Sequence, residues 1–270
     1  MNELVSSLIF LSSGFVSGIL IGMLGIGGGL VFVPLLYFTL PLLGIPESML
    51  AYYTIGTSLF TGAMAVTNSA ILHIRAKNFL TKPAIFISLG SLLTASVTPF
   101  FVVKVESKTL EIIFASVLFV ILISMLFESE KRKWLVLSKP LSEKYYLPLG
   151  MFVGIFSSFI GLGGGVIYLP ALMNLFLVEA RKAVGTSSII AAVTMLTATI
   201  SYLFQSANSV THSGALGFIV IAAAIPLGIG AILGSFVGVK LTLKSTSAVI
   251  KRVFAGILII AIIRILFKIG

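Results

Sequence analysis

The chain has no cysteine and no aspartate, and only 10% of its 270 residues are charged. Without cysteine there are no disulfides, no thiol nucleophile and no cysteine-ligated metal, and the redox compartment stays undetermined. A soluble domain of this size carries charge on roughly a quarter of its residues. The shortfall points to lipid rather than water as the main solvent. Where charge is missing is as informative as how much is missing. No charged residue lies between Glu3 and Glu47, or between Lys144 and Glu179. Either gap exceeds the ~20 apolar residues that cross a bilayer.

The eight carboxylates, Glu3, Glu47, Glu106, Glu111, Glu128, Glu130, Glu143 and Glu179, fall at segment ends or in loops. The membrane-embedded acid of a proton relay is therefore absent. The two histidines, His73 and His212, also stand at segment ends, where interfacial residues are expected. Far apart and without an adjacent carboxylate, they make neither a metal centre nor a catalytic triad. No metal, no cofactor and no enzymatic chemistry are expected.

What the chain does have is hydrophobic residues, 58% of the total, and a net charge of +10. Lys and Arg cluster in short loops between apolar segments, as the positive-inside bias requires, and no basic stripe is interleaved with aromatics. Binding to nucleic acid is not expected. The first residues, Met1 to Phe10, carry Glu3 where a signal peptide would carry a cation, and they read as the start of a membrane segment.

The strongest pattern is a repeat. Gly14–Gly18, Gly25-Ile-Gly-Gly-Gly29 and Pro34 recur, at one constant spacing, as Gly150–Gly154, Gly161-Leu-Gly-Gly-Gly165 and Pro170. Further on, Ile55-Gly-Thr-Ser58 recurs as Val184-Gly-Thr-Ser187, and Gly90–Phe114 recurs as Gly230–Phe254. Three matches in one order indicate a duplication: a first membrane repeat over 1–128, a cytoplasmic linker over 129–146 and a second repeat over 147–270.

Only helices or closed barrels satisfy backbone groups in lipid, and the alternation of a barrel is missing, so the reading is all-α. The expected segments are Leu4–Leu43, Met49–Leu72, Pro83–Val103, Leu110–Phe127, Leu147–Val178, Ala183–Ser206, Ala215–Leu241 and Ala248–Phe267. The first, as one helix, would be roughly 60 Å long, twice the hydrocarbon core. It must cross twice or enter and return as a hairpin. Each half then has five helical elements, and an odd number inverts the second half relative to the first. Loop charge agrees: Arg75–Lys82, Lys131–Lys144, Arg181–Lys182 and Lys240–Lys244 fall on one face, expected to be cytoplasmic, with both termini opposite.

Matching glycine breaks in inverted halves point to a transporter's binding site. Gly25, Gly27, Gly28 and Gly29, with Gly161, Gly163, Gly164 and Gly165, can bring backbone close to a ligand. The short helices that follow offer free N–H groups to an anion. Thr57 and Ser58, with Thr186 and Ser187, add hydroxyls that can cap a helix or donate to an oxyanion, and Asn68 is a candidate for the pathway. Close helix packing is the competing account of these glycines. The Gly-x-Gly strings have no βαβ context, so dinucleotide binding is rejected.

The paired GxGGGxxxxP motifs, Gly25–Pro34 and Gly161–Pro170, resemble the signatures of the TauE/SafE sulfite exporter family, also called the 4-toluene sulfonate uptake permease family. Ala183-Val-Gly-Thr-Ser187, the His73–Arg75 loop and the small-residue run Gly228–Gly238 are similar to its pattern. In the first half Tyr53-Thr54-Ile55 departs from it. The resemblance covers nearly the whole chain and implies a plasma-membrane permease for sulfite, sulfonates or related organosulfur anions. It places the eight break glycines at the centre, with Thr57, Ser58, Thr186 and Ser187 beside them. Alternating access around a midplane anion is the expectation; the coupling ion, sodium or a proton, is left open, and sodium or simple facilitated diffusion fits the missing carboxylates better than a buried proton carrier. An anion channel and a non-transporting scaffold subunit stand as alternatives. A homo-oligomer is compatible with the sequence, which leaves substrate, direction and oligomeric state open.

Overall fold

A computed structural model of the chain describes residues 3–126, 139–205, 214–250, 252–253 and 256. Its helices are α1 (Glu3–Leu24), α2 (Gly29–Thr39), α3 (Glu47–Arg75), α4 (Thr81–Val97), α5 (Pro99–Val102), α6 (Ser107–Leu126), α7 (Tyr146–Ile160), α8 (Gly165–Asn174), α9 (Ala180–Gln205) and α10 (Ile221–Lys244). Another helix begins over 247–250. Five segments among the described residues are long and apolar enough to cross a membrane: Ser6–Leu24, Glu47–Arg75, Thr81–Val102, Ala180–Gln205 and Ile221–Lys244. The protein is all-α and of the membrane class, with the apolar side chains of several spans turned outward, as lipid requires.

The two over-long segments are broken where the glycines predict. The first consists of α1, a turn and α2, and the second of α7, a turn and α8. With 11 and 10 residues, α2 and α8 extend only about 16 and 15 Å, half the hydrocarbon thickness. They are half-helices that begin inside the protein, not second crossings.

The expectation of helix throughout fails at 215–220. There Ala215–Leu216 (β1) pairs antiparallel with Ile219–Val220 (β2), and α10 starts only at Ile221. The flanking Gly214 and Gly217 have φ of 92° and 66°, which a helix does not tolerate. Most of the linker (its residues 129–138) and the expected last segment beyond 256 lie outside the described residues.

Two tight helix pairs flank the centre. α1 and α10 run parallel, since Gly14, Gly18 and Gly22 meet Leu227, Ala231 and Ser235 in turn. Gly230, Gly234 and Gly238 answer by sitting on the carbonyls of Leu11, Phe15 and Ile19. In the same manner α4 pairs with α7, with Gly90 on the Leu147 carbonyl and Gly150 on that of Ile87. Small residues at four-residue spacing let these backbones touch, the form of packing available where lipid removes the hydrophobic drive. Between the two pairs, α3 and α9 cross antiparallel: Gly62 meets Met195, and Ser69 Oγ lies 3.2 Å from Ser188 Oγ.

Candidate functional site

The two breaks pass each other at mid-length of α3 and α9. Gly25, Gly27 and Gly28 have φ of 66°, 75° and 84°, and Gly161, Gly163 and Gly164 have 74°, 75° and 74°. Such a run of left-handed residues strains any side chain but glycine. All eight break glycines are buried. A Cβ on Gly29 would land on the Gly161 carbonyl oxygen, and one on Gly165 on that of Gly25. A Cβ on Gly27 would stand 3.0 Å from Gly163 Cα. Thus the N-terminus of each half-helix abuts the turn that opens the other.

The serines of the repeated Gly-Thr-Ser strings hold this arrangement from the sides. Ser58 Oγ donates to the Gly161 carbonyl at 3.0 Å, and Ser187 Oγ to that of Gly25 at 3.1 Å. The threonines serve a neighbouring joint. Thr57 Oγ1 accepts from the Val220 N–H at 3.0 Å, ahead of α10, and Thr186 Oγ1 from the Leu80 N–H at 2.9 Å, ahead of α4. Each of these contacts in one half recurs in the other with the partners exchanged.

The half-helices begin with N–H groups that lie ahead of their own ladders. The Gly28 carbonyl is the first acceptor of the α2 ladder, taking the N–H groups of Val31 and Phe32, and the Gly164 carbonyl does the same for Ile167 and Tyr168. The N–H groups of Gly29 and Leu30, and of Gly165 and Val166, precede those ladders and carry the positive end of the helix dipole. No carboxylate among the described residues stands near this depth: Glu3 and Glu47 begin their helices, Glu111 lies in the second turn of α6, and Glu106, Glu143 and Glu179 lie in the connections between the long helices. No cluster of three or more His, Cys, Asp or Glu among the described residues could hold a metal.

Residues 10–265 match the family described as sulfite exporter TauE/SafE. The chain belongs to that family. A "probable membrane transporter protein" of Haemophilus influenzae is 27% identical over 97% of this chain and 98% of its own length. Another so described, of Methanocaldococcus jannaschii, is 28% identical over 91% of this chain and 90% of its own. A third, of Bacillus subtilis, is 24% identical over 95% and 96%. No solved structure matches. This TauE/SafE protein is accordingly a multi-pass membrane transporter.

The site residues read from the sequence are therefore split by the fold. The eight glycines, Ser58 and Ser187 converge on the crossing, while Thr57 and Thr186 lie at its two ends. Asn68 sits apart, half-buried, donating through Nδ2 to Ser235 Oγ of α10 at 2.7 Å. Met195 was not singled out: fully buried, its thioether lies between Gly27, Gly62 and Gly163. A methionine in an apolar helix carries no signal that separates this position from ordinary core. Thr61 is fully buried one turn from Ser58, and its hydroxyl has no partner among the described residues. His73, expected at an interface, is instead fully buried, because the loop after α3 folds back over it through Asn78. His212 lies outside the described residues.

Proposed function

We propose that this transporter moves a small sulfur oxyanion, sulfite or a sulfonate, between the two half-helix N-termini by alternating access. The crossing of the breaks carries the reading: two positive helix ends, the buried Thr61 hydroxyl, which has no partner among the described residues, and no carboxylate near it among the described residues. Such a site substitutes backbone N–H and hydroxyl donors for the hydration of an anion. The matching family description, sulfite exporter, favours the same chemical class. The second repeat is inverted relative to the first, a reading supported by the antiparallel α3 and α9 and the exchanged contacts. Rocking of one half against the other then exposes the same centre to either side. The protein sits in the plasma membrane with the Arg75–Lys82 face cytoplasmic and acts as a permease, not an enzyme.

The test is flux into proteoliposomes of labelled sulfite, a C2 sulfonate, sulfate and acetate. The expected result is saturable uptake of a sulfur oxyanion with acetate excluded. Currents that fail to saturate would indicate a channel. No flux of any of the four from folded protein would refute the reading and favour a scaffold role.

A further inference from the structure

The two ends of the crossing share a backbone plan but differ in chemistry. At the end next to β2, Phe218 is buried among aromatics, its ring centroid 5.4 Å from Tyr53, 5.6 Å from Tyr52 and 6.4 Å from Tyr202. The Tyr202 hydroxyl donates to the Ser158 carbonyl at 3.0 Å, and that of Tyr52 to the Val105 carbonyl at 2.6 Å. The repeat alignment that matches Ser58 to Ser187 and Gly90 to Gly230 extends to both ends. It gives the other end His73 for Tyr202, Asn78 for Phe218, Arg181 for Tyr52 and Lys182 for Tyr53. The contacts carry over with the residues. Arg181 Nη2 donates to the Ser245 carbonyl at 2.9 Å, where Tyr52 meets Val105, and the Gly22 carbonyl stands beside His73, where Ser158 meets Tyr202. One end is an aromatic seal, the other a polar, cationic lock.

The lock has a defined protonation state. Asn78 Nδ2 lies 3.0 Å from His73 Nδ1 and 2.9 Å from the Arg181 carbonyl. A carbonyl only accepts, so the amide nitrogen is the group that faces both. His73 Nδ1 is then a bare acceptor, and the neutral ring carries its hydrogen on Nε2. Nε2 is buried and meets no hydrogen-bond geometry among the described residues, with the Gly22 carbonyl beside the ring. The Thr242 hydroxyl lies 3.1 Å from the Gly22 carbonyl and 2.8 Å from that of Met23, the closer acceptor for its single hydrogen.

We propose that His73 is the proton-binding site that couples transport to a pH gradient, with Asn78 as the latch it controls. The step is a single protonation: an aqueous proton forms an N–H bond at Nδ1, and the ring gains one positive charge. The new N–H then opposes the Asn78 NH₂. The amide must turn to present its oxygen, which removes its donation to the Arg181 carbonyl. That bond ties the α3–α4 loop to the head of α9, beside the Leu80–Thr186 joint.

The charged groups at this end are mostly cationic: Arg75 and Lys77 after His73, Lys82 at the head of α4, Arg181 and Lys182 on α9, Lys240 and Lys244 on α10. Glu179 stands at the head of α9, and Glu143 is taken by Lys82 at 3.2 Å. A buried imidazolium in such company needs a counter-charge. An anion entering the pathway supplies it, and by reciprocity the proton favours the anion. Proton and anion therefore move together.

This inference rests on the permease reading, and two variants with two readouts test it. His73→Gln keeps an acceptor for Asn78 but cannot take the proton, and His73→Tyr copies Tyr202 of the other half. Labelled sulfite is followed in two modes, exchange against unlabelled sulfite at equal pH and net uptake driven by a pH gradient. In the unaltered protein the gradient should speed net uptake several-fold. Both variants should lose that acceleration while retaining exchange within about two-fold. Acceleration surviving in either variant, or exchange lost in step with it in both, would overturn the proposal. Absence of sulfite exchange in the unaltered protein would count against the substrate instead. In that case ¹⁵N-histidine NMR of the full-length His212→Asn protein decides. His73 should be Nε2-protonated at pH 8 and gain an Nδ1 proton on acidification, together with a shift of the Asn78 side-chain amide. A ring that stays neutral throughout would refute the site.

Discussion

At the scale of single residues, the glycines of this transporter do two separate jobs. Gly28 and Gly164, with φ of 84° and 74°, are needed for conformation, because each caps a half-helix in the left-handed region. Gly29 and Gly165 are needed for proximity, because a side chain there would displace the carbonyl of the opposite break. Backbone held from both sides cannot yield as a flexible side chain can. Gly165→Ala should therefore lower stability in detergent by about 1–3 kcal/mol, at the upper end for overpacking, and reduce sulfite flux further than stability alone would. Gly228→Ala is the matched control: its Cβ would meet only the Met64 thioether, which can swing aside. A thermal-unfolding comparison of the two variants checks this, and equal losses would remove the distinction. These residues were legible in the sequence because three adjacent glycines, repeated, have few uses in a membrane. Met195 and Thr61 were not legible. Their place at the crossing follows from how α3 and α9 meet, a long-range fact with no local signature.

At the scale of elements, the spans were readable from charge gaps alone, and α3 and α9 match their expected ranges within a few residues at each end. The depth to which α2 and α8 re-enter was not, since apolar composition is the same for a half-helix and a full one. The β1–β2 hairpin was missed because Gly214 and Gly217 resemble the packing glycines that follow them in α10. The joints that start α4 and α10 also took the structure to find. Thr186 and Thr57 each accept a backbone N–H, a part-buried one from Leu80 and a buried one from Val220. Valine in either place keeps the shape and strands that donor, at about 1–3 kcal/mol. Thr57→Val and Thr186→Val should each lower the midpoint of thermal unfolding. The double variant should show nearly additive losses, since the joints share no partner. If either change abolished flux without affecting stability, its hydroxyl would be contacting the substrate directly.

At the scale of the whole molecule, the inverted arrangement proposed above assigns every loop to a face, and a chain free of cysteine is suited to testing the assignment. From Glu47 to Arg75, α3 is about 44 Å long, enough to carry its two ends to opposite surfaces. Glu47 and Lys104 then face outward, and Lys77, Lys139 and Lys182 face the cytoplasm. All five are exposed, so a cysteine at any of them is accessible to reagent without disturbing the core. A membrane-impermeant maleimide applied to intact cells should label Glu47→Cys and Lys104→Cys. It should reach Lys77→Cys, Lys139→Cys and Lys182→Cys only after permeabilisation. The pairing of Lys77 with Lys182 is the decisive one, because Lys77 follows the end of α3 and Lys182 stands at the start of α9, the equivalent helix of the other half. Labelling both from one side requires the second repeat to be inverted, whichever side that is. If they reacted from opposite sides, the repeats would be parallel, and a single central site exposed by rocking would lose its geometric basis. If the whole pattern were reversed, the inversion would stand, the Arg75–Lys82 face would lie outside, and the His73 lock would open outward.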